Sequence, residues 1–195
     1  MKTVLSFLTT LFLLTFNTSA QTYVIDPGHS SVQVKVQRFG GVYVVGRFKK
    51  VEGEITFPES KVEQLQAKAL IDANSYDANN EKGEASIKSK AFLDVANYPT
   101  LSFVSERVEQ RSDGNYLIGN LTVHGVTKGV AIPFKLMGPT MDFAARKPSI
   151  AMNGKLKINR QDYGMKFNKQ TADGTKFVGD EVEISLMIHA IKKSD

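Results

Sequence analysis

The sequence predicts an all-β protein built from antiparallel strands, and three observations support that fold class. Apolar and polar residues alternate with a period of two through most of the chain, which is typical of half-buried strands. Helical spacing occurs in a single segment, and no strand–helix–strand rhythm indicates a parallel sheet. Because a sheet with one apolar face must bury that face, it must close into a barrel or pack against a second sheet.

The N-terminal segment predicts an export signal rather than part of the fold. Lys2 supplies the positive charge near the N-terminus that signal peptides carry. An apolar run covers residues 4–16, and Thr18-Ser19-Ala20 forms a cleavage site of small residues. The apolar run is shorter than the roughly 20 residues that span a bilayer. We therefore expect a signal peptide over residues 1–20 and one exported domain over residues 21–195.

Composition argues against a disulfide framework and against a nucleic-acid-binding protein. The chain has no cysteine, so its core alone must stabilise the domain. The formal net charge is +5, but the lysines and arginines mostly alternate with apolar residues, as on the solvated face of strands. Without a clustered basic patch or a recognised motif, the sequence predicts no nucleic-acid binding.

Alternating segments give the expected strands of the first half of the chain. Val32, Val34 and Val36 alternate with polar residues soon after the turn signal Asp26-Pro27-Gly28. Further strands are expected at 42–48, 51–57 and 64–72. Residues 77–98 then interrupt the pattern.

The interruption has helical character. Ile87, Ala91, Phe92 and Val95 recur at helical spacing, and Pro99 ends the run. The sequence therefore predicts one or two short helices in a connection between strands.

The second half returns to strands, of which the hairpin at 117–136 is the clearest. Leu117, Leu121 and Val123 share one face, and the alternation resumes after a polar phrase at 124–128. The other strands are expected at 101–108, 149–159 and 181–191, with turn or bulge glycines at Asp113-Gly114, Asn153-Gly154 and Asp173-Gly174. This periodicity leaves a barrel and a sandwich open as alternatives.

Four phrases spread over the exported domain carry a family resemblance. They are Tyr23-Val24-Ile25-Asp26-Pro27-Gly28-His29-Ser30, Phe92-Leu93-Asp94 with Tyr98-Pro99, the segment 119–128, and Arg160-Gln161-Asp162-Tyr163-Gly164 with the segment 178–182. In this order and spacing they resemble the YceI family of polyisoprenoid-binding, lipocalin-like exported proteins. The resemblance implies an antiparallel eight-stranded barrel, closed at one end, that holds a long isoprenoid chain. It also implies a periplasmic location, or an extracellular one in a host without a periplasm.

Ten apolar residues are expected to surround the barrel cavity and contact the lipid. They are Val34, Val36, Phe48, Phe92, Phe103, Leu121, Ile132, Phe134, Phe143 and Met152. Burying about ten methylene-sized groups of a ligand releases roughly 8 kcal/mol gross, from which association removes at least about 4 kcal/mol. A long apolar chain can therefore bind well with a weakly held headgroup. The alternative is a solid core made by the same residues.

Two polar residues are candidates for contact with a lipid headgroup. If the first strand continues to Arg38, this residue shares the apolar face with Val36, where a guanidinium could meet a phosphate or a quinone oxygen. Alternatively, the strand ends at Gln37 and Arg38 turns outward. The resembled family often has a histidine at the position of Arg38. His29 is the second candidate, with fastening of a turn as its alternative role.

The histidines do not predict a metal site. His29, His124 and His189 share no short spacing, and the chain has no cysteine. No adjacent acidic cluster completes a site of the kind that transition metals occupy.

The remaining polar motifs do not predict an enzyme. Arg160, Asp162 and Asp180-Glu181 are expected to form a structural network of charges near the end of the barrel. The sequence has no Gly-x-Ser-x-Gly phrase, no phosphate-binding glycine loop and no dinucleotide fingerprint.

The leading hypothesis is an exported, non-catalytic protein that sequesters or carries a polyisoprenoid of the quinone or prenyl phosphate type, without a cofactor. Its expected partner is a long-chain isoprenoid lipid, loaded through a transient contact with a membrane. One alternative is a structural or protein-interaction barrel with a filled core. Another is a hydrolase or isomerase acting on an apolar substrate. The oligomeric state stays open, a dimer included.

Overall fold

A computed structural model describes residues 20–58 and 61–194 of the chain. The predicted signal peptide lies outside the described residues, apart from Ala20. Within the described ranges, no helix is long and apolar enough to cross a bilayer.

Eleven strands, one α-helix and three short 3-10 helices make up the described part of the chain. The strands of the first half are β1 (Gln21–Ile25), β2 (Ser31–Arg38), β3 (Val42–Phe48), β4 (Val51–Phe57), β5 (Gln66–Asp72) and β6 (Tyr76–Asp77). Those of the second half are β7 (Thr100–Arg111), β8 (Gly114–Val123), β9 (Val126–Asp142), β10 (Lys147–Asn159) and β11 (Val178–Lys192). The helix α1 covers Glu81–Lys88, and the 3-10 helices cover Val62–Gln64, Ala73–Ser75 and Arg160–Tyr163.

The eleven strands form a closed antiparallel barrel of eight strands. The numbers differ because three of the eight barrel strands are interrupted, and each of these consists of two shorter strands. The first barrel strand consists of β1 and β2, which pair with β4 and β3 respectively. In the same way, β3 and β4 form the second barrel strand, and β5 and β6 form the third. The last strand, β11, closes the ring by pairing with both β1 and β2. Each barrel strand therefore lies beside its neighbours in sequence.

Capping hydrogen bonds define the start of the single α-helix. The Asn80 side chain accepts a hydrogen bond from the Gly83 N–H at 3.0 Å, as a helix N-cap does. The Glu84 side chain reaches back and accepts hydrogen bonds from the N–H groups of Ala78 and Asn80. One helix thus forms where the sequence predicts one or two, and turns follow it up to β7.

The structure confirms the predicted all-β class and the eight-stranded barrel. The strands expected at 42–48 and 51–57 coincide with β3 and β4. The short strand β1 was not among the expected strands, although its Tyr23 is fully buried. The predicted turn at 124–128 is narrower than expected, because Val123 already pairs with Val126 and leaves only His124 and Gly125 in the turn.

One end of the barrel is packed solid. Tyr23 and Phe57 stack there with ring centroids 5.7 Å apart, and Leu65 and Ile150 are each 1% exposed. The packing of these large side chains closes this end of the barrel.

Candidate functional site

An apolar cavity of about 160 Å³ lies inside the barrel, and all eight barrel strands contribute to its wall. Among the residues that line it, only Lys68, Tyr76 and Arg160 have polar side chains. Such a wall favours an apolar ligand, because a polar one would lose its hydrogen bonds to water without replacement.

The cavity is less enclosed at the end of the barrel opposite the solid one, which we call the wide end. The four residues of the solid end, Tyr23, Phe57, Leu65 and Ile150, are not part of its wall. At the other end, Val36, Leu156, Ile158 and Val182 line the cavity but are only half-buried. The gradient of burial shows that the cavity extends toward the β2–β3 turn.

Two connections contribute side chains to the wide end of the cavity. Ile87 comes from α1, Phe92 from the turns after it, and Met165 from the segment between the last 3-10 helix and β11. The rings of Phe92 and Phe167 lie 5.0 Å apart and join the two connections. These connections partly cover the cavity.

The structure places nine of the ten predicted cavity residues in the wall of this cavity. They are Val34, Val36, Phe48, Phe92, Phe103, Leu121, Ile132, Phe134 and Met152. Their contact with a lipid stays a prediction.

Phe143 is placed differently, and the expectation that it faces the cavity is wrong. It lies in the turn between β9 and β10, where it is 89% exposed. The strand β9 extends to Asp142, far enough to carry this turn away from the barrel interior.

Several wall residues on β10 and β11 were not predicted. They include Leu156, Ile158, Val182, Ile184, Leu186 and Ile188. Their period-two alternation could have identified them, because every second residue of a strand faces the same side of a sheet.

Among the described residues, Arg160 is the one arginine in the cavity wall, and other groups of the protein bind its guanidinium. It is 2% exposed. Its Nε donates to the Gly179 carbonyl at 2.9 Å, and Nη1 donates to the Met165 carbonyl at 2.6 Å. Its Nη2 donates to the Phe167 carbonyl and to Asp180 Oδ1, both at 2.7 Å. Since each nitrogen has a partner, Arg160 fastens the segment 165–179 to the barrel.

Part of the expected network of charges thus forms, around Arg160 and Asp180, whereas Asp162 makes no ion pair among the described residues. Burial alone would raise the pKa of Asp180, but hydrogen bonds from Lys176 and Gln161 and the Arg160 charge outweigh it and lower that pKa. Desolvation lowers the pKa of Arg160, and the Asp180 charge opposes this shift. Glu181 lies outside the network and pairs with Lys157 at 2.8 Å.

Arg38 lies at the rim of the wide end of the barrel. The strand β2 continues through it, since Arg38 pairs with Val42 of β3 and with Val178 of β11. Its guanidinium carbon lies 4.9 Å from the ring centroid of Phe39, and Arg38 does not line the cavity itself. The alternative in which the strand ends at Gln37 is therefore wrong.

His29, the second headgroup candidate, is not in the cavity wall. It lies in the segment that interrupts the first barrel strand, where its side chain is 76% exposed. Its Nδ1 lies 2.6 Å from Asp26 Oδ2. The hydrogen bond with Asp26 raises the pKa of His29 and lowers that of Asp26. The hydrogen bond with Asp26 agrees with the alternative role of fastening a turn, and contact of His29 with a lipid headgroup stays a prediction.

His29 lies close to His189, another of the three histidines considered as metal ligands. The ring of His189, on β11, lies 5.8 Å from that of His29, and its Nδ1 lies 3.6 Å from Asp26 Oδ2. The distance between these histidines in sequence had argued against a shared site, but the barrel closure of β11 on the first strand removes that objection.

Comparison with known proteins gives consistent matches over nearly the whole described chain. The YceI-like domain family matches residues 23–190. The protein YceI of Salmonella arizonae is 31% identical, with 98% of each chain covered. The crystal structure of Burkholderia cenocepacia BcnA superposes with a TM-score of 0.72 at 24% identity, covering 85% of this chain and 99% of that one. A polyisoprenoid binding domain from Saccharophagus degradans, implicated in plant cell wall breakdown, gives a TM-score of 0.66 at 15% identity, covering 89% and 99%.

Proposed function

The chain belongs to the YceI-like domain family, and on that basis we propose that it is an exported, non-catalytic protein that carries or sequesters a polyisoprenoid lipid in its barrel. The observation that carries this proposal is the apolar cavity that all eight barrel strands enclose. The description of one solved neighbour as a polyisoprenoid binding domain supports the class of ligand.

The size of the cavity bears on how the lipid is held. An engineered apolar cavity of about 150 Å³ in another protein accommodates benzene, so about 160 Å³ corresponds to the bulk of about one isoprene unit. A longer chain must also use the wide end between β2, β10 and β11. Each methylene buried there contributes about 0.8 kcal/mol. Affinity should therefore rise with chain length until the lipid reaches the rim.

Arg38 is the proposed contact for the headgroup. It stands at the rim of the wide end, where the outer end of a bound lipid would emerge. A guanidinium can donate to a phosphate or to a quinone carbonyl, and a hydrogen bond from a charged donor is worth about 1.5–3 kcal/mol. Arg160 is less suited to this role, because the protein's own carbonyls and Asp180 already engage all three of its nitrogens.

The β2–β3 hairpin supports a transient contact with a membrane. Its exposed apolar side chains, Phe39, Val42, Tyr43 and Val45, are each more than half exposed. Arg38 and Arg47 lie on the same hairpin, and apolar side chains beside basic ones suit an anionic lipid surface. A lipid could thus enter at the wide end without crossing water. The signal peptide predicted over residues 1–20 would bring the protein to the periplasm.

Organic extraction of the purified, exported protein followed by mass spectrometry tests this proposal. We expect a polyisoprenoid in near-stoichiometric amount from the natural protein. The variant Arg38→Ala should bind a lipid with a phosphate or quinone headgroup about tenfold more weakly. Arg107→Ala is the matched control, because Arg107 is an exposed arginine on β7, outside this hairpin and outside the cavity wall. An extract without lipid, together with no binding of added polyisoprenoid, would instead favour a structural barrel.

A further inference from the structure

Two histidines and one aspartate meet on the outside of the barrel, where the first barrel strand is interrupted. Asp26 and His29 belong to the segment between β1 and β2, and His189 comes from β11. We propose that Asp26, His29 and His189 bind a divalent transition-metal ion such as zinc. This site is separate from the lipid cavity, since none of the three residues lines that cavity.

The geometry of the three side chains suits a metal ion. One ligand atom from each residue lies within 4.8 Å of the others. Asp26 Oδ2 lies 2.6 Å from His29 Nδ1 and 3.6 Å from His189 Nδ1. Two ligands of a tetrahedral zinc ion, each about 2.0–2.1 Å from the metal, lie about 3.3 Å apart. Small side-chain rotations would therefore bring the three atoms to coordinating positions.

A second observation points to a missing partner at this place. His189 Nδ1 is buried, and it has no hydrogen-bond partner among the described residues. Buried polar atoms in proteins are nearly always satisfied, and an exception commonly marks a water or an ion. Because this nitrogen lies 3.6 Å from Asp26 Oδ2, an ion bound between them would give it a partner.

The other side of the His189 ring is arranged as in metal sites. Its Nε2 lies 3.4 Å from Asp142 Oδ2, at the end of β9. Metal-binding histidines usually have a carboxylate or a carbonyl at their second nitrogen, which orients the ring and makes it more basic. Asp142 is therefore a positioning residue in this proposal.

The backbone around His189 is fixed as well. The Asp26 N–H donates to the His189 carbonyl at 2.9 Å. The Ser30 hydroxyl donates to the same carbonyl at 3.1 Å, and it accepts from the His189 N–H at 3.0 Å. Two of the three ligands thus start from a rigid frame, while the exposed His29 side chain can adjust.

The chemistry of the three groups selects the kind of ion. Imidazole nitrogens favour zinc, copper and nickel over calcium and magnesium, which prefer oxygen. Three protein ligands leave the remaining coordination positions to solvent. A bound ion would also connect the break in the first barrel strand to the last strand.

Calorimetric titration of the full, tag-free exported protein with zinc alone, after removal of metals with a chelator, tests the proposal. The titration is run at about pH 7.5, because the imidazoles must be neutral to bind. We expect one zinc ion per chain. The variants His29→Ala and His189→Gln should each weaken binding about tenfold or more, and Asp142→Asn about tenfold.

His124→Asn is the matched control, because His124 contacts the Tyr163 carbonyl elsewhere in the barrel. Asparagine tolerates the positive φ of 51° at this position. Zinc affinity of this variant should equal that of the natural protein. In NMR spectra of the natural protein, zinc should shift the imidazole signals of His29 and His189 and leave those of His124 unchanged.

Three results would overturn the proposal. They are no zinc binding by the natural protein, undiminished binding by the double variant of His29 and His189, and a shift of the His124 signals in place of the other two. Because the His29 side chain is 76% exposed, His29→Ala should fold and keep the comparison valid.

Discussion

Arg160 fastens a long connection to the barrel with a single side chain. Its guanidinium joins the carbonyls of Met165 and Phe167, just after the last 3-10 helix, to that of Gly179 at the start of β11. Because Phe92 packs on Phe167, the same fastening holds one cover of the cavity in place. A structural residue therefore shapes the wide end of the candidate site.

Replacing this cation should destabilise the protein markedly. Arg160→Met removes the donor to several carbonyls and one of the three donors to Asp180, and breaking a buried ion pair costs about 3–5 kcal/mol. We expect a loss near the lower end, about 3 kcal/mol in free energy of unfolding, because Asp180 is 22% exposed and keeps Lys176 as a partner. Denaturant unfolding of the natural protein and of the variant measures this loss.

Lys157→Met is the matched control for that experiment. Lys157 pairs with Glu181, the neighbour of Asp180, but both side chains are more than half exposed. An exposed ion pair contributes about 0–1 kcal/mol. Equal losses in the two variants would show that the buried position of Arg160 has no special effect.

Individual residues differ in how well the sequence predicts where their side chains lie. Eight of the nine correctly predicted wall residues lie on alternating strands, and the ninth, Phe92, lies in the turns after α1. The expected position of Phe143 is wrong, because this residue lies in a connection, where period two no longer determines direction. Apart from Asp180, the partners of Arg160 are backbone carbonyls, which no sequence motif predicts.

The β8–β9 hairpin shows the same contrast for a whole element. Its alternating residues predict both strands and the buried face, and the structure confirms them. The tight turn depends on backbone conformation, with φ of 51° at His124 and 72° at Gly125. Both values are positive, as hairpin turns of two residues often require.

Gly125→Ala should destabilise the hairpin. A side chain in the left-handed region costs about 1–2 kcal/mol, and an added Cβ would lie 2.4 Å from Tyr98 Cε1. We expect a loss of about 2 kcal/mol in free energy of unfolding, measured by denaturant unfolding. Gly129→Ala is the control, since a Cβ there meets no atom within 4 Å. A neutral Gly125→Ala would contradict this account of the turn.

The interrupted strands were beyond sequence reasoning. The break between β1 and β2 separates two short segments that share the neighbours β3–β4 and β11. Local patterns detect β2 but cannot show that β1 continues it, because the connection is made by partners distant in sequence. For the same reason, the meeting of His29 with His189 was not foreseen.

At the scale of the whole molecule, periodicity determines which faces are apolar but not what those faces meet. It therefore left a barrel and a sandwich open, and the family resemblance was needed to choose the barrel. The size of the cavity depends on how the side chains of eight strands pack together, which no single segment contains.

The most direct test of the central claim is the amount of polyisoprenoid bound per chain when the cavity is filled by a side chain. Val36→Trp places a large ring in the wide end, because Val36 lines the cavity there. Val104→Trp adds the same ring on the outside of β7, where Val104 is 45% exposed. With both variants folded by circular dichroism, we expect Val36→Trp to retain about tenfold less lipid and Val104→Trp to retain the natural amount. Undiminished lipid in folded Val36→Trp would contradict the claim that the barrel cavity is the binding site.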